Sequence, residues 1–179
     1  ASGPACPDRS TAAQALAVAK KYGLRLSDRA WELLGQETPK ELTNVTNVVT
    51  GSVRELCAAA AESCRRLGYE PVVLTTQLCC QARQAGEWLA GEVKKRACPG
   101  RKLALIAGGE TVVRLTGKGK GGRNQELALA AAPLLRGMSG CALFSVGSDG
   151  TDGPTDAAGG YVDGDTARDL EAMGISIEE

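Results

Sequence analysis

Three short apolar runs recur along the chain with amphipathic stretches between them: "EPVVLTT" (70–76), "KLALIAGG" (102–109) and "CALFSVG" (141–147). The intervening segments "QARQAGEWLAGEVKKRA" (81–97) and "NQELALAAAPLL" (124–135) have helical spacing. Continuous apolar strands alternating with helices predict an α/β fold. Its mostly parallel sheet is sandwiched by helices in a three-layer, Rossmann-like arrangement. "TVVRLTG" alternates instead, and predicts an antiparallel or edge strand near 111–116. Ligands of such sheets sit beyond the carboxyl ends of the strands. Three polar loops fall at such ends: "AGGET" (107–111), "TGKGKGGRNQE" (116–126) and "GSDGTDGPTDAAGG" (147–160).

The remaining elements are helical. Ser10 or Asp8 is the expected cap of "DRSTAAQALAVAKKYGL", which Gly23 ends. Ser27 caps "DRAWELLG", Ser52 opens "VRELCAAAAESCRRLG", and "DTARDLEAMG" is the last helix. "VTNVVTG" is a short β-branched run, and "QETPKELTN" is the expected domain boundary.

Several chemistries are excluded by what the chain lacks. It has no histidine, so Ser-His and Cys-His nucleophiles and mixed cysteine–histidine zinc sites are out. Cys57 and Cys64 lie about 10 Å apart along a helix, at ~1.5 Å rise per residue, too far to bond. Cys79 and Cys80 are adjacent, and no C-x-x-C occurs. Reduced thiols in a cytoplasm are the expectation. Twenty-one basic residues balance 21 acidic ones. A nucleic-acid partner is therefore not expected, and the local basic cluster points to a small anion. No apolar run approaches eighteen residues, so no membrane partner is expected, and no export signal opens the chain. The start at "ASGP", without methionine, predicts a piece of a longer product.

The loop "GKGKGG" precedes the helix start "RNQE". Gly117, Gly119 and Gly122 satisfy G-x-G-x-x-G, but the ribose-binding acid expected about twenty residues on is missing. A Walker A loop fails because Gly119 follows Lys118 and Val112 stands where its first glycine should be. The underlying mechanism survives both failures. The amides of Gly119, Gly121 and Gly122, and that of Asn124 at the helix start, point an anion-binding concavity outward. Arg123 grips two oxygens, while Lys118 and Lys120 add point charges.

Asp149, Asp152 and Asp156 sit among glycines in the third loop and suit Mg²⁺, which takes one or two carboxylates plus phosphate oxygens. The same aspartates also suit backbone capping in a turn-rich loop. An EF-hand is excluded by Thr151 and the missing final glutamate. Glu110, after Gly108 and Gly109, can orient Arg123, hold a metal or accept a substrate hydroxyl.

"GGETVVRLTGKGKGGRNQELALA" and "GSDGTDGPTDAAGGYVDG" together resemble the glycerate kinases of the MOFRL type, some of which are labelled hydroxypyruvate reductases. "SGPACPDRSTAAQALAVAKKYGL" is similar to the stretch closing that family's N-terminal lobe. The resemblance covers nearly the whole chain, with small departures at "CCQARQAG", "VTGSVRE" and "GSDGTDGPTDAAGG". It implies residues 1–38 as the tail of the N-terminal lobe and 39–179 as a C-terminal MOFRL-type domain, incomplete at its end. It further implies ATP-dependent phosphorylation of D-glycerate, giving 2-phosphoglycerate in many members, at a site between two lobes. The upstream lobe carries a lysine, and the fragment alone is expected to be inactive.

On that reading Arg123, Glu110 and Asp152 are the catalytic candidates. Gly108, Gly109, Lys118–Gly122 and Asn124 bind substrate or phosphate, and Asp149, Asp152 and Asp156 bind Mg²⁺. D-glycerate and a nucleotide are the small-molecule partners, and a homodimer is the expected assembly. Two other readings stay open: a hydroxypyruvate reductase using NADH or NADPH, and a non-catalytic phosphate-binding module.

Overall fold

The computed structural model describes residue 3 and residues 5–177. Parts of "SGPACPDRS" and of the closing "GISIEE" therefore lie outside the described residues. The chain divides into two compact units, Ala1–Thr50 and Gly51–Glu179.

The first unit is a helix pair. Helix α1 (Ala12–Lys21) starts at Thr11, whose hydroxyl accepts the Gln14 amide while the Gln14 side chain reaches back to the Thr11 amide. The expected caps, Ser10 and Asp8, instead bond one another just upstream, Ser10 Oγ donating to Asp8 Oδ1 at 2.7 Å. The reciprocal box satisfies two donors at once, more than either alternative offers. Helix α2 (Asp28–Leu34) is capped by Ser27 as expected. Residues 37–40 fold back on the start of α1. Glu37 accepts the Ala12 amide at 2.9 Å, and Lys40 Nζ donates to the Ser10 carbonyl at 2.6 Å. Part of the segment "QETPKELTN" thus bonds directly to the start of α1. The β-branched run at 45–51 forms no strand or helix.

The second unit is the α/β body. Helix α3 (Val53–Arg66), capped by Ser52, leads into β1 (Glu70–Leu78), α4 (Ala82–Arg96) and β2 (Leu103–Gly109). β1 and β2 pair in parallel from Glu70↔Leu103 to Leu78↔Gly109, joined by the α4 crossover that a parallel pair requires. Helix α5 (Arg123–Leu135), β3 (Ala142–Val146), β4 (Gly159–Asp163) and α6 (Thr166–Ala172) follow. β3 and β4 form a separate antiparallel ribbon, with Phe144 opposite Tyr161.

The α/β class with helices flanking a parallel pair holds, and this ribbon adds a separate antiparallel pair to it. Along β3, Leu143 is buried while Ala142, Phe144 and Val146 are exposed, the alternation of a strand covered on one face only. The expected strand near 111–116 is reduced to a single parallel bridge, Gln81↔Val112.

The core runs along the α4–α5 seam. Ala85, Ala90, Ala131, Ala132 and Leu135 are fully buried there. Alanines at this seam let the helices approach closely: a Cβ at Gly86 would strike the Leu127 carbonyl. This contact fixes α5, and with it Arg123 at its first position, against the β1–α4–β2 unit.

Candidate functional site

Helix α5 begins with a defect. Its N-cap is Gly122, which has no side chain to accept the first amides. Those amides still need an acceptor once buried. Asp152 supplies it from a loop 28 residues downstream: Oδ1 accepts the Asn124 backbone N–H at 3.0 Å, and Oδ2 accepts that of Gln125 at 2.8 Å. The side chains of the same two residues donate as well, Asn124 Nδ2 to Oδ1 at 3.0 Å and Gln125 Nε2 to Oδ2 at 3.1 Å. Asp152 is only 2% exposed. Burial pushes its carboxyl upward, but the amides of Asn124 and Gln125 outweigh that and hold it below the ordinary 3.8.

The surrounding contacts lock both partners. Ser145 Oγ, near the end of β3, donates to Asn124 Oδ1 at 2.6 Å. Thr155 Oγ1 donates to the Asp152 carbonyl at 2.7 Å and accepts from Gln125 Nε2 at 2.9 Å. Backbone approaches seal the arrangement. A Cβ at Gly122 would overlap the Asp152 carboxyl, and one at Gly153, whose φ is +62°, would overlap the Gly121 carbonyl. The glycine-rich bend and the aspartate-bearing bend therefore meet face to face.

The four residues opening α5 reach different neighbours. Arg123 Nη1 donates to Glu110 Oε1 at 2.7 Å and to the Thr111 carbonyl at 3.4 Å. Asn124 and Gln125 turn inward to Asp152. Glu126 pairs with Arg83, at the start of α4, at 3.5 Å. Arg123 and Glu110 remain largely solvent-accessible. Asp149 lies close enough to feel Arg123. Its carboxyl is held below the usual range first by the Thr151 amide and hydroxyl, and more weakly by that guanidinium.

The other expected site residues fall into two groups. Lys118, Gly119, Lys120 and Gly121 form an exposed stretch without hydrogen-bond partners among the described residues, and a Cβ at Gly119 or Gly121 would meet open space. Gly108 and Gly109 are committed to packing. A Cβ on Gly108 would press on Cys57 and Val53 of α3, and Gly109 lies against the Leu78 backbone, whose carbonyl takes the Glu110 amide at 2.8 Å.

The three aspartates do not form a chelating set. Asp152 turns both oxygens to α5, Asp149 Oδ1 accepts the Thr151 amide at 3.2 Å, and Asp156 is exposed. Among the described residues no three acidic or thiol groups cluster so as to hold a metal. The trio therefore does not fit a Mg²⁺ site. Gln125, Ser145, Thr155 and Arg83 were not singled out from the sequence as site residues. The side-chain-free N-cap at Gly122 was the signal that an acceptor had to come from elsewhere.

Residues 103–179 match the MOFRL family model. A D-glycerate 2-kinase of Thermotoga maritima is 52% identical over 97% of this chain and 43% of its own length. A glycerate 2-kinase of Pyrococcus horikoshii is 42% identical over 80% of this chain and 34% of its own length. A crystal structure of glycerate kinase from T. maritima superposes with a TM-score of 0.76 at 49% identity, covering 98% of this chain and 44% of that one. The chain thus spans less than half the length of these relatives. A protein from Agrobacterium vitis named for hydroxypyruvate reduction is 35% identical over 98% of the chain. No described helix is long and apolar enough to cross a membrane.

Proposed function

We propose that the chain is the part of a glycerate kinase of the MOFRL type that grips the anionic groups during ATP-dependent phosphorylation of D-glycerate to 2-phosphoglycerate. The observation that carries this reading is Arg123, held by Glu110 at the mouth of two touching loops, next to a stretch of unbonded glycine amides. Phosphoryl transfer asks a protein for alignment and positive charge rather than covalent help.

On this reading Arg123 takes two oxygens of one anion, a transferring phosphoryl group or the glycerate carboxylate. The amides of 118–121 and the side chains of Lys118 and Lys120 face the remaining oxygens. Glu110 fixes the guanidinium plane and so lowers the ordering cost at the moment of transfer. Mg²⁺ that accompanies the nucleotide would neutralise phosphate charge. Residues 1–38 would close an upstream lobe, and 39–179 would form the C-terminal domain. The free cysteines suit a reducing cytoplasm.

The reductase reading is weaker. The acid nearest to the end of β3 is Asp149, and its carboxylate is turned onto the Thr151 amide.

The test is a coupled assay of ADP release by the full-length natural product with D-glycerate. Release that depends on D-glycerate supports the reading. Oxidation of NADH or NADPH by hydroxypyruvate, without ATP, would replace it.

A further inference from the structure

We infer that Asp152 is a positioning residue that acts through Arg123, and not a ligand of Mg²⁺. The inference rests on the role proposed above for Arg123 and adds how that side chain is kept in place.

A buried carboxylate without charge partners is costly unless hydrogen bonds replace its water. Asp152 receives four N–H donors, all from Asn124 and Gln125, the two residues after Arg123. Asp152 is almost wholly buried, which leaves little access for a hydrated cation. The same contacts satisfy two of the first amides of α5, those of Asn124 and Gln125. Much of the partial positive charge of that helix end is thus met inside the protein, which leaves an anion to the Arg123 side chain and the 118–121 amides.

Position follows from this. Arg123 is the first residue of α5, and its backbone is fixed by the two peptide units that Asp152 clamps. On one side Glu110 sets the guanidinium. On the other, Gly122 and Gly153 admit the clamp only because neither has a Cβ. Releasing the clamp frays the first turn and lets the Arg123 head wander from the anion, though Arg123 itself is unchanged. A displacement of about 1 Å suffices to cost on the order of 100-fold in rate.

The experiment is a double-mutant cycle in the full-length natural product, read with hydrogen exchange and Mg²⁺ titration. Asp152→Ala should speed exchange at the Asn124 and Gln125 amides at least ~10-fold. It should lower kcat/KM for D-glycerate at least ~10-fold in the parent enzyme, but under ~3-fold when Arg123 is already alanine. The Mg²⁺ concentration for half-activation should not move. Should Asp152→Ala fail to fold, Asp152→Asn, which keeps one acceptor oxygen, carries the same comparison. Leu135→Ala, chosen from the core and matched by its drop in Tm, is the control for general destabilisation.

A raised Mg²⁺ requirement with exchange unchanged overturns the inference in favour of a metal ligand. So does a loss that Leu135→Ala reproduces, or one that adds in full to Arg123→Ala. An Arg123→Ala enzyme with normal turnover overturns both this inference and the role given to Arg123. A crippled Arg123→Ala enzyme with an additive Asp152 effect overturns only the inference.

Discussion

The bends at 117–122 and 147–156 use similar residues and end in opposite states. Each mixes glycine with charge, and each abuts the start of α5. The basic bend is exposed, and Lys118 to Gly121 make no hydrogen bonds among the described residues. The acidic bend buries Asp152, half-buries Thr155 and sets Gly150 and Gly153 at positive φ. Composition therefore did not decide which bend became rigid. What decided it was the uncapped helix between them, which needed acceptors and could draw them only from the acidic side. The lysines, being donors, were left outward.

The largest expected effect tests the open side. Arg123→Ala should lower kcat/KM for D-glycerate at least ~100-fold, about 2.7 kcal/mol of transition-state binding, measured on the full-length product. Its urea midpoint should barely move, because Arg123 and Glu110 form an exposed pair worth at most about 1 kcal/mol. An activity loss that tracked lost stability would erase the contrast between the bends.

The locked side should add a loss of stability that the open side lacks. Asp152→Ala strands two half-buried amides and should cost about 2 kcal/mol of stability by urea unfolding. Asp156→Ala, at an exposed position four residues along the same bend, should stay within ~0.5 kcal/mol. Equal effects at the two aspartates would mean that the loop is held as a whole and that the clamp at α5 is not its anchor.

How far this contrast was legible follows from the range of the interactions. β1, α4, β2 and α5 were readable because each is a local pattern: a continuous apolar run or a helical period. β4 was not. It spans five residues and opens on Gly159 and Gly160, which present no side chains to read. Thr11 was hidden among Asp8 and Ser10, three competent caps in four positions, although Gln14 three residues later marks the capping box. At the site, the closeness of the two bends was anticipated from strand ends. The partnership of Asp152 was not, since acidic residues on a turning loop suit a cation and a helix start equally well. Only the three-dimensional path brings Asn124 onto Oδ1.

Acid should separate the bends by a smaller amount. Asp152 has a native carboxyl held below its ordinary 3.8. Its stabilising contribution is therefore complete above that value and is lost as pH falls through the native value. Urea midpoints measured from pH ~5 to pH ~2.5 should fall more steeply for the parent chain than for Asp152→Asn, whose side chain does not titrate. Parallel slopes would mean that protonating Asp152 leaves its four donors equally well satisfied.

The smallest effect is the sharpest test of the open bend. Gly119 lacks positive φ, and a Cβ there would meet no atom within 4 Å. Gly119→Ala should therefore leave stability within ~0.5 kcal/mol, with any change toward stabilisation, because alanine narrows the unfolded ensemble. If the 118–121 amides face an anion, the added methyl should nonetheless raise the KM of one anionic substrate a few-fold, through crowding where the backbone must approach it. A KM change without a stability change would mark the loop as a binding surface that folding does not need. No change in either would leave Arg123 as the bend's sole contact and reduce the glycines to a flexible connection. The comparison with the acidic bend would then rest on that one side chain.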